Sequence, residues 1–368
     1  MYITDLVSLP SFLFGRNVYP RLPQLMRPFG KRFAVVGGVT AMEKALPSLK
    51  AAIKDTEFEL LCALPFGGAC TLGAMRTLRD QLSPLSPDFI VGMGGGKAID
   101  TAKGVAHLLG VPMISLPTLV SNCAPITALS VVYKEDGPFD SFMFFYGPPA
   151  LTVVDLAIAA GAPAKYLRAG MGDTLAKHLE STFSARGDVL GKGMMDHMSA
   201  IGVALSSTCF DPILKFGRQA LDEAQRGEAR QAFELCARSI ILSAGLVSLM
   251  ANDAYNCALA HAVCYGLQLF PHVEEDFLHG DLVAYGALVQ LMLDGQTERA
   301  QALLSFLRSL GTPVTLREMN VPLDRAALDA ALIEATTGPD MAHIPYKITP
   351  DMVFDAMHRL ETLSSPDH

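Results

Sequence analysis

The 368-residue chain has no CxxC pair, no cluster of Lys and Arg, no internal repeat and no apolar run long enough to cross a bilayer. Each absence removes a class of function. The seven cysteines (62, 70, 123, 209, 236, 257 and 264) are odd in number and scattered, which reads as reduced thiols rather than a disulfide framework. The opening MYITDLVSLPSF lacks the basic-then-apolar pattern of a signal peptide, so the expectation is a cytoplasmic protein. A net charge of −8 without a basic patch argues against nucleic acid and against a membrane surface as partners, and leaves a small metabolite. The longest apolar run, SIILSAGLVSLMA at 239–251, falls short of the ~20 residues that a spanning helix needs and reads as a buried helix.

What is present is a high apolar content, 50% hydrophobic residues with a mean hydropathy of +0.31, enough for a large core and two domains. Up to residue 155, short apolar runs alternate with helical patterns such as 41–54 and 70–82. The runs are RFAVVGG (32–38), FELLCALPF (58–66), DFIVGMGGG (88–96), PMISLPT (112–118) and LTVVD (151–155). That alternation predicts a parallel sheet with crossover helices. From about residue 163 onward apolar residues recur three and four apart, which predicts helix almost throughout. The expected division is an α/β domain over 1–160 and an all-α domain over 161–368. The junction is AIAAGAPAKYL (157–167), where Gly161 and Pro163 interrupt the chain.

The stretch FIVGMGGGKAIDTAK (89–103) places three consecutive glycines between a strand and a helical pattern. Bare backbone at a helix start offers N–H groups and the positive end of the helix dipole to an anion, and side chains there would block the approach. A glycine turn without a ligand is the plain alternative. The strand before it, and Lys97, Asp100 and Lys103 after it, favour phosphate binding. Neither the Walker pattern nor the GxGxxG fingerprint of a first Rossmann strand is present.

GGGKAIDTAK followed by LGVPMISLPTLVSNCAPITALSVVY resembles the glycerol dehydrogenase branch of the iron-containing alcohol dehydrogenase superfamily, in which GGGK-x-x-D-x-x-K precedes a PT-x-x-S segment. AGMGDTLAKHLE (169–180), ALAHAVCYGL (258–267) and FLHGDLVAYGALVQL (277–291) resemble that family's three metal-binding segments, in order and at similar spacing, so the resemblance covers nearly the whole chain. It implies a dinucleotide-binding α/β domain with a parallel sheet, an all-α C-terminal domain, an active site in the interdomain cleft, and a homo-oligomer.

Residue by residue, the resemblance assigns Asp173, His261 and His279 to one divalent metal ion. One carboxylate and two imidazoles suit such an ion and leave a position open for a substrate oxygen. His261 lies in an apolar helical pattern, where a buried imidazole needs a partner. The other histidines, 107, 178, 197, 272, 343, 358 and 368, read as ordinary core or surface residues. Some relatives carry a fourth ligand, a His one turn after the Asp; Lys177 stands there, and three ligands imply zinc rather than iron. For the cofactor, NAD(P), Gly94, Gly95 and Gly96 match the pyrophosphate cradle, with Lys97 and Asp100 at the same corner. Thr118, Ser121, Thr127, Leu129 and Tyr133 match the nicotinamide and ribose contacts. NAD-preferring relatives place an Asp after the second strand; here the matching place is Gly37, followed by Gly38, which leans the expectation toward NADP(H).

The implied chemistry is hydride transfer between the nicotinamide and a small hydroxy compound, with the metal lowering the pKa of an alcohol or polarising a carbonyl. Two positions depart from the glycerol dehydrogenase pattern. Its second metal segment reads His-x-x-His-Asn-Gly, where this chain has His261-Ala-Val-Cys264-Tyr265-Gly266. A candidate proton relay is thereby replaced by a thiol, whose pKa of roughly 8.5 rises on burial. The second is Cys123, which stands where those enzymes carry an Asp. That change removes a partner for polyol hydroxyls and a charge that disfavours anionic substrates. Cys123, together with HIPYKITPDMVFDAMHRLE (343–361), resembles a branch acting on 2-oxo and 2-hydroxy carboxylates; a small packed hydrophobe is the plain reading of the same residue. The alternative function is a dehydroquinate-synthase-like lyase acting on a phosphorylated sugar acid, but the second metal segment lacks the extra Lys, Arg and His that its substrate phosphate would need.

Overall fold

The computed structural model describes residues 7–137, 139–188 and 194–364; the first six residues of the N-terminal stretch and His368 lie outside them. Eight strands form among the described residues: β1 (Ser11–Gly15), β2 (Arg32–Gly37), β3 (Glu59–Pro65), β4 (Phe89–Gly94), β5 (Met113–Pro117), β6 (Leu129–Tyr133), β7 (Phe139–Phe144) and β8 (Leu151–Asp155). Six make one parallel sheet in the order β1-β8-β5-β4-β2-β3, and β6 and β7 pair as an antiparallel hairpin.

Alternation along the central strands explains why both faces are covered. Phe33 and Val35 of β2, with Phe89, Val91 and Met93 of β4, pack into one core with Ala45 and Leu49 of the Val39–Ile53 helix. Ala34, Val36 and Ile90 point the other way and meet Met75 and Leu78 of the Leu72–Leu82 helix and Ile99, Ala102 and Val105 of the Gly96–Leu109 helix. A strand buried on both faces reads as a continuous apolar run, which is how these strands are legible in the sequence. The strands outside the five apolar runs are β1, β6 and β7. β1 lies at the sheet edge with Phe12 45% exposed, and five residues of weak alternation carry no clear signal.

The chain divides into two compact units, one of residues 1–164 with 222–249, the other of 165–221 with 250–368. Residues 222–249, which a division at residue 160 places with the helices, group with the sheet. A Cβ on Gly245 would stand 2.5 Å from Ile126 of the loop before β6, and the Arg238 guanidinium lies 5.2 Å from the Phe14 ring centroid of β1. The apolar run at 239–251 belongs to a longer helical stretch, Gln231–Met250, which by length and composition could cross a membrane. Phe233, Cys236, Ile240, Ile241 and Val247 are buried in it, as in a core helix.

Among its described residues the second unit is built of helices and connecting loops, with no strand. Its central element is the His279–Leu293 helix, in which every residue from Gly280 to Met292 is buried. A helix apolar on all sides needs neighbours on all sides. Three of those around it are Leu259–Leu267, Thr297–Leu310 and Pro350–Leu363.

Candidate functional site

The helical unit gathers Asp173, His261 and His279 from three helices. Asp173 lies on the Ala164–Ala185 helix, His261 in the first turn of Leu259–Leu267, and His279 at the start of His279–Leu293. Asp173 Oδ1 is 3.4 Å from His261 Nε2 and 3.9 Å from His279 Nε2, and one donor atom of each residue lies within 4.8 Å of the others. His279 is exposed at 45% of its side chain, so the cluster opens on one side.

Glycine permits this convergence. A Cβ on Gly280 would overlap the Ala169 carbonyl oxygen, one on Gly172 would overlap that of Gly280, and one on Gly286 that of Ala260. The helices therefore touch backbone to backbone, and each ligand sits one residue from such a contact: Asp173 after Gly172, His279 before Gly280, His261 after Ala260. Arg168 locks the crossing with a two-pronged ion pair to the buried Asp281, Nε to Oδ1 at 3.0 Å and Nη2 to Oδ2 at 2.8 Å.

Behind the ligands, a fully buried carboxylate fixes the ring of His261. Glu180 Oε2 accepts from His261 Nδ1 at 2.6 Å, while Oε1 accepts from the backbone N–H groups of Ala258 and His261 at 2.8 and 2.9 Å. With the Nδ1 proton committed, the Nε2 lone pair faces Asp173, the arrangement in which a carboxylate orients a metal-binding imidazole. Glu180, Cys257 and His261 also form a compact group, but both oxygens of Glu180 are already occupied, so an ion fits on the Nε2 side. Burial raises the cost of charge on Glu180, and the facing His261 more than offsets it, leaving the carboxyl below the usual carboxylate range. Asp173 is also held below that range: burial opposes its charge, and hydrogen bonding to His261 and the fields of His279 and Lys177 prevail.

Lys177 occupies the place of the family's further ligand and donates to the Asn256 carbonyl at 2.8 Å. Cys264 lies behind His279, with Sγ 3.5 Å from Nδ1 and 3.8 Å from the His279 carbonyl oxygen. Burial pushes its thiol far above the ordinary range. A thiol that donates to the carbonyl and accepts from Nδ1–H orients His279 rather than relaying a proton. Cys264, which stands where relatives carry a candidate proton relay, is placed to position His279.

In the α/β unit, β4 runs into the Gly96–Leu109 helix through Gly94 and Gly95. Gly94 has φ +149°, a region that favours glycine, and a Cβ there would stand 2.8 Å from Ala98 Cβ. A Cβ on Gly96 would stand 2.5 Å from Asn122 Nδ2. Gly95 is the N-cap and supplies no side-chain acceptor, whereas Thr71, Asp155, Asp196 and Thr349 cap their own helices. The first N–H groups of this helix are thus left for an external acceptor. Lys97 is exposed, its Nζ 4.6 Å from the Tyr133 ring centroid. Thr118 donates its N–H to the Gly94 carbonyl at 3.1 Å, and Ser121 is half-buried in the same loop.

Asp100 has a different task from a loop-corner contact. It is buried, pairs with Lys103 Nζ at 2.8 Å and accepts from the Val131 N–H at 3.1 Å. Burial pushes its carboxyl upward and Lys103 draws it back only in part. Lys103 also donates to the carbonyls of Ala124, Thr127 and Leu129 and to Thr127 Oγ1, so Asp100, Lys103, Thr127 and Leu129 together clamp the 121–129 loop and β6 onto the helix. Cys123, half-buried in this loop, accepts through its carbonyl from the N–H groups of Ile126 and Thr127. Gly37 is required by packing: a Cβ there would stand 2.6 Å from the Met93 carbonyl oxygen. At Gly38 a Cβ would be no closer than 3.6 Å to its neighbours. Glu180, Asn122 and the Arg168–Asp281 pair were not singled out from the sequence. Only Glu180 left a signal there, seven residues after Asp173 and so on the same helix face.

Comparison with known proteins bears on this geometry. Residues 10–156 match the family model described as iron-containing alcohol dehydrogenase. A glycerol dehydrogenase of Escherichia coli O6:H1 is 32% identical over 351 residues, 94% of either chain, and hydroxycarboxylate dehydrogenase A of Escherichia coli K12 is 33% identical over 82% of each. The crystal structure of glycerol dehydrogenase from Schizosaccharomyces pombe superposes with a TM-score of 0.87 at 27% identity, over 98% of this chain and 91% of that one. The chain belongs to the iron-containing alcohol dehydrogenase family and is an alcohol oxidoreductase that works with NAD(P) and a divalent metal ion.

Proposed function

We propose that this enzyme interconverts a small 2-hydroxy carboxylate and its 2-oxo acid, with the ion held by Asp173, His261 and His279 and the NAD(P) pyrophosphate on the backbone of Gly94, Gly95 and Gly96. The observation that carries the reading is the Asp173/His261/His279 cluster with Glu180 fixing the tautomer of His261. When bound, the ion supplies a Lewis acid for the substrate oxygen and the nicotinamide supplies or accepts the hydride. The chain's own groups do the rest. Glu180 and Cys264 orient the two imidazoles, Arg168 with Asp281 holds the helix crossing, and the Lys103 clamp keeps the 121–129 loop, with Thr118, Ser121 and Tyr133 nearby, in one shape for the nicotinamide and ribose.

Zinc suits three N and O donors with an open position, and the donation of Lys177 to Asn256 removes a fourth ligand; this favours zinc over iron. Room at Gly38, and none at Gly37, supports Gly38 as the place where NAD-preferring relatives set their carboxylate, so NADP(H) is accepted. Cys123 supplies no charge against a carboxylate substrate, which supports the 2-hydroxy acid over glycerol. A cytoplasmic homo-oligomer completes the reading, and the net charge of −8 supports the absence of nucleic acid and anionic membrane partners. The test is a panel of small alcohols, polyols and 2-oxo acids assayed with NADH and NADPH after metal reconstitution. A 2-oxo acid reduced with higher kcat/KM than dihydroxyacetone supports the reading, and a strong preference for glycerol with an unchanged ratio in Cys123→Asp overturns it.

A further inference from the structure

The loop between β5 and β6 brings one side-chain donor, Asn122, to the start of the Gly96–Leu109 helix. A Cβ on Gly96 would stand 2.5 Å from Asn122 Nδ2 and 3.3 Å from its Cγ and Oδ1, so the amide nitrogen is the atom that faces the helix start. The orientation is fixed from the other side. Asn122 Oδ1 accepts from the Ala124 N–H at 3.1 Å, a side chain bonded to the backbone two residues on. Turned over, the amide would set N–H against N–H, which assigns its nitrogen and oxygen.

Two observations separate a ligand contact from a residue that only shapes its loop. Asn122 is half-buried, and its Nδ2 donates to no acceptor among the described residues yet stays open to solvent, so an acceptor from outside reaches it. The same nitrogen lies at the end of the helix where N–H groups are uncovered. The first backbone bond of that helix is from the Ile99 N–H to the Gly95 carbonyl at 3.0 Å, and Gly95 caps none of the N–H groups of Gly96, Lys97 and Ala98. Lys97, the cation nearest in sequence, rests its Nζ over the Tyr133 ring.

We propose that Asn122 is a cofactor-binding residue, its Nδ2–H and the N–H groups of the helix start holding one oxyanion of the NAD(P) pyrophosphate from two sides. The inference rests on the reading that places the pyrophosphate on Gly94, Gly95 and Gly96, and adds the side chain that grips it. Glycine at 96 then has a further use, since a Cβ there would push the amide off the helix start. NADH and NADPH share the pyrophosphate, so the grip sets affinity for both and leaves the choice between them alone.

Isothermal titration of the metal-loaded enzyme with NADH, NADPH and ADP-ribose tests it in wild type, Asn122→Asp, Asn122→Ala and Gly95→Ala. Asn122→Asp keeps the acceptor for the Ala124 N–H and sets a negative charge at a helix start, where it is favourable, so melting temperature and metal content should hold. It removes the donor and repels the pyrophosphate. All three ligands should bind at least about tenfold more weakly to it, by a common factor. Asn122→Ala removes the donor without adding charge and should also lose about tenfold. Unchanged affinity in Asn122→Ala overturns the proposal, because a loss in Asn122→Asp alone is repulsion without a hydrogen bond. Loss for NADPH with NADH and ADP-ribose intact overturns it as well. If Gly95→Ala weakens binding and neither Asn122 variant does, the grip fails while the pyrophosphate reading stands; if none of the three does, both fall.

Discussion

In the α/β unit, glycine at 94–96 leaves the N–H groups of a helix start uncovered, with Gly94 at φ +149°; in the helical unit, glycine at 172, 280 and 286 brings three helices together backbone to backbone. The same residue does opposite things. In the first unit it keeps side chains away so that a ligand's phosphates can come close; in the second it keeps side chains away so that the protein's own helices can, and the metal ligands converge as a result. A substitution in the first should therefore injure binding, and one in the second should injure the fold around the ion.

The largest effect expected from that contrast is at Gly280. Gly280→Val would drive a branched side chain into the Ala169 carbonyl and separate the helices that carry Asp173 and His279. Loss of bound metal and turnover is expected, with destabilisation beyond about 4 kcal/mol by denaturant titration. Gly95→Ala, whose Cβ would be 3.2 Å from the Leu119 side chain, should keep metal content and melting temperature and raise KM for NAD(P). Equal metal loss in both variants would erase the distinction.

Next in size is the Lys103 clamp. Lys103→Met strands the buried Asp100 carboxylate and frees three loop carbonyls, which should cost about 3–5 kcal/mol in urea unfolding. Metal affinity should not change, since both groups belong to the α/β unit.

How much of this was legible in the sequence follows from the same contrast. The central strands announce themselves as apolar runs because both sheet faces are buried, and GGGK is visible because three adjacent glycines have no packing use in a strand. Asp173, His261 and His279 are legible by resemblance. Gly172, Gly280 and Gly286 are silent, since their partners are carbonyl oxygens of residues distant in sequence. Asp100 and Lys103 misled for a related reason: charges after a glycine loop suggest phosphate, and only the fold shows them turned inward against β6. The 222–249 segment joins the sheet through contacts such as Gly245 with Ile126 that no periodicity reveals.

A smaller effect is expected at Cys264. Cys264→Val keeps the volume but removes the acceptor that orients His279, so zinc affinity should fall about 10- to 100-fold in competition with a chelator, while Cys264→Ser should restore most of it. An unchanged affinity in the valine variant would return Cys264 to a packing role. The smallest is at the cofactor end, where Gly38→Asp should move the NADH to NADPH ratio of kcat/KM toward NADH by about tenfold, a change of about 1.4 kcal/mol. Gly37→Asp should instead yield less folded protein, because its side chain meets the Met93 carbonyl.

The central claim is that one divalent ion held by Asp173, His261 and His279 carries the oxidoreductase activity. Metal content by mass spectrometry and NAD(P)-linked turnover, measured on wild type and on Asp173→Ala, His261→Ala and His279→Ala after identical zinc reconstitution, tests it most directly. The account predicts one ion per wild-type chain and, in each variant, loss of the ion together with turnover, with circular dichroism unchanged. Retained metal and turnover in any two of the three variants would contradict it.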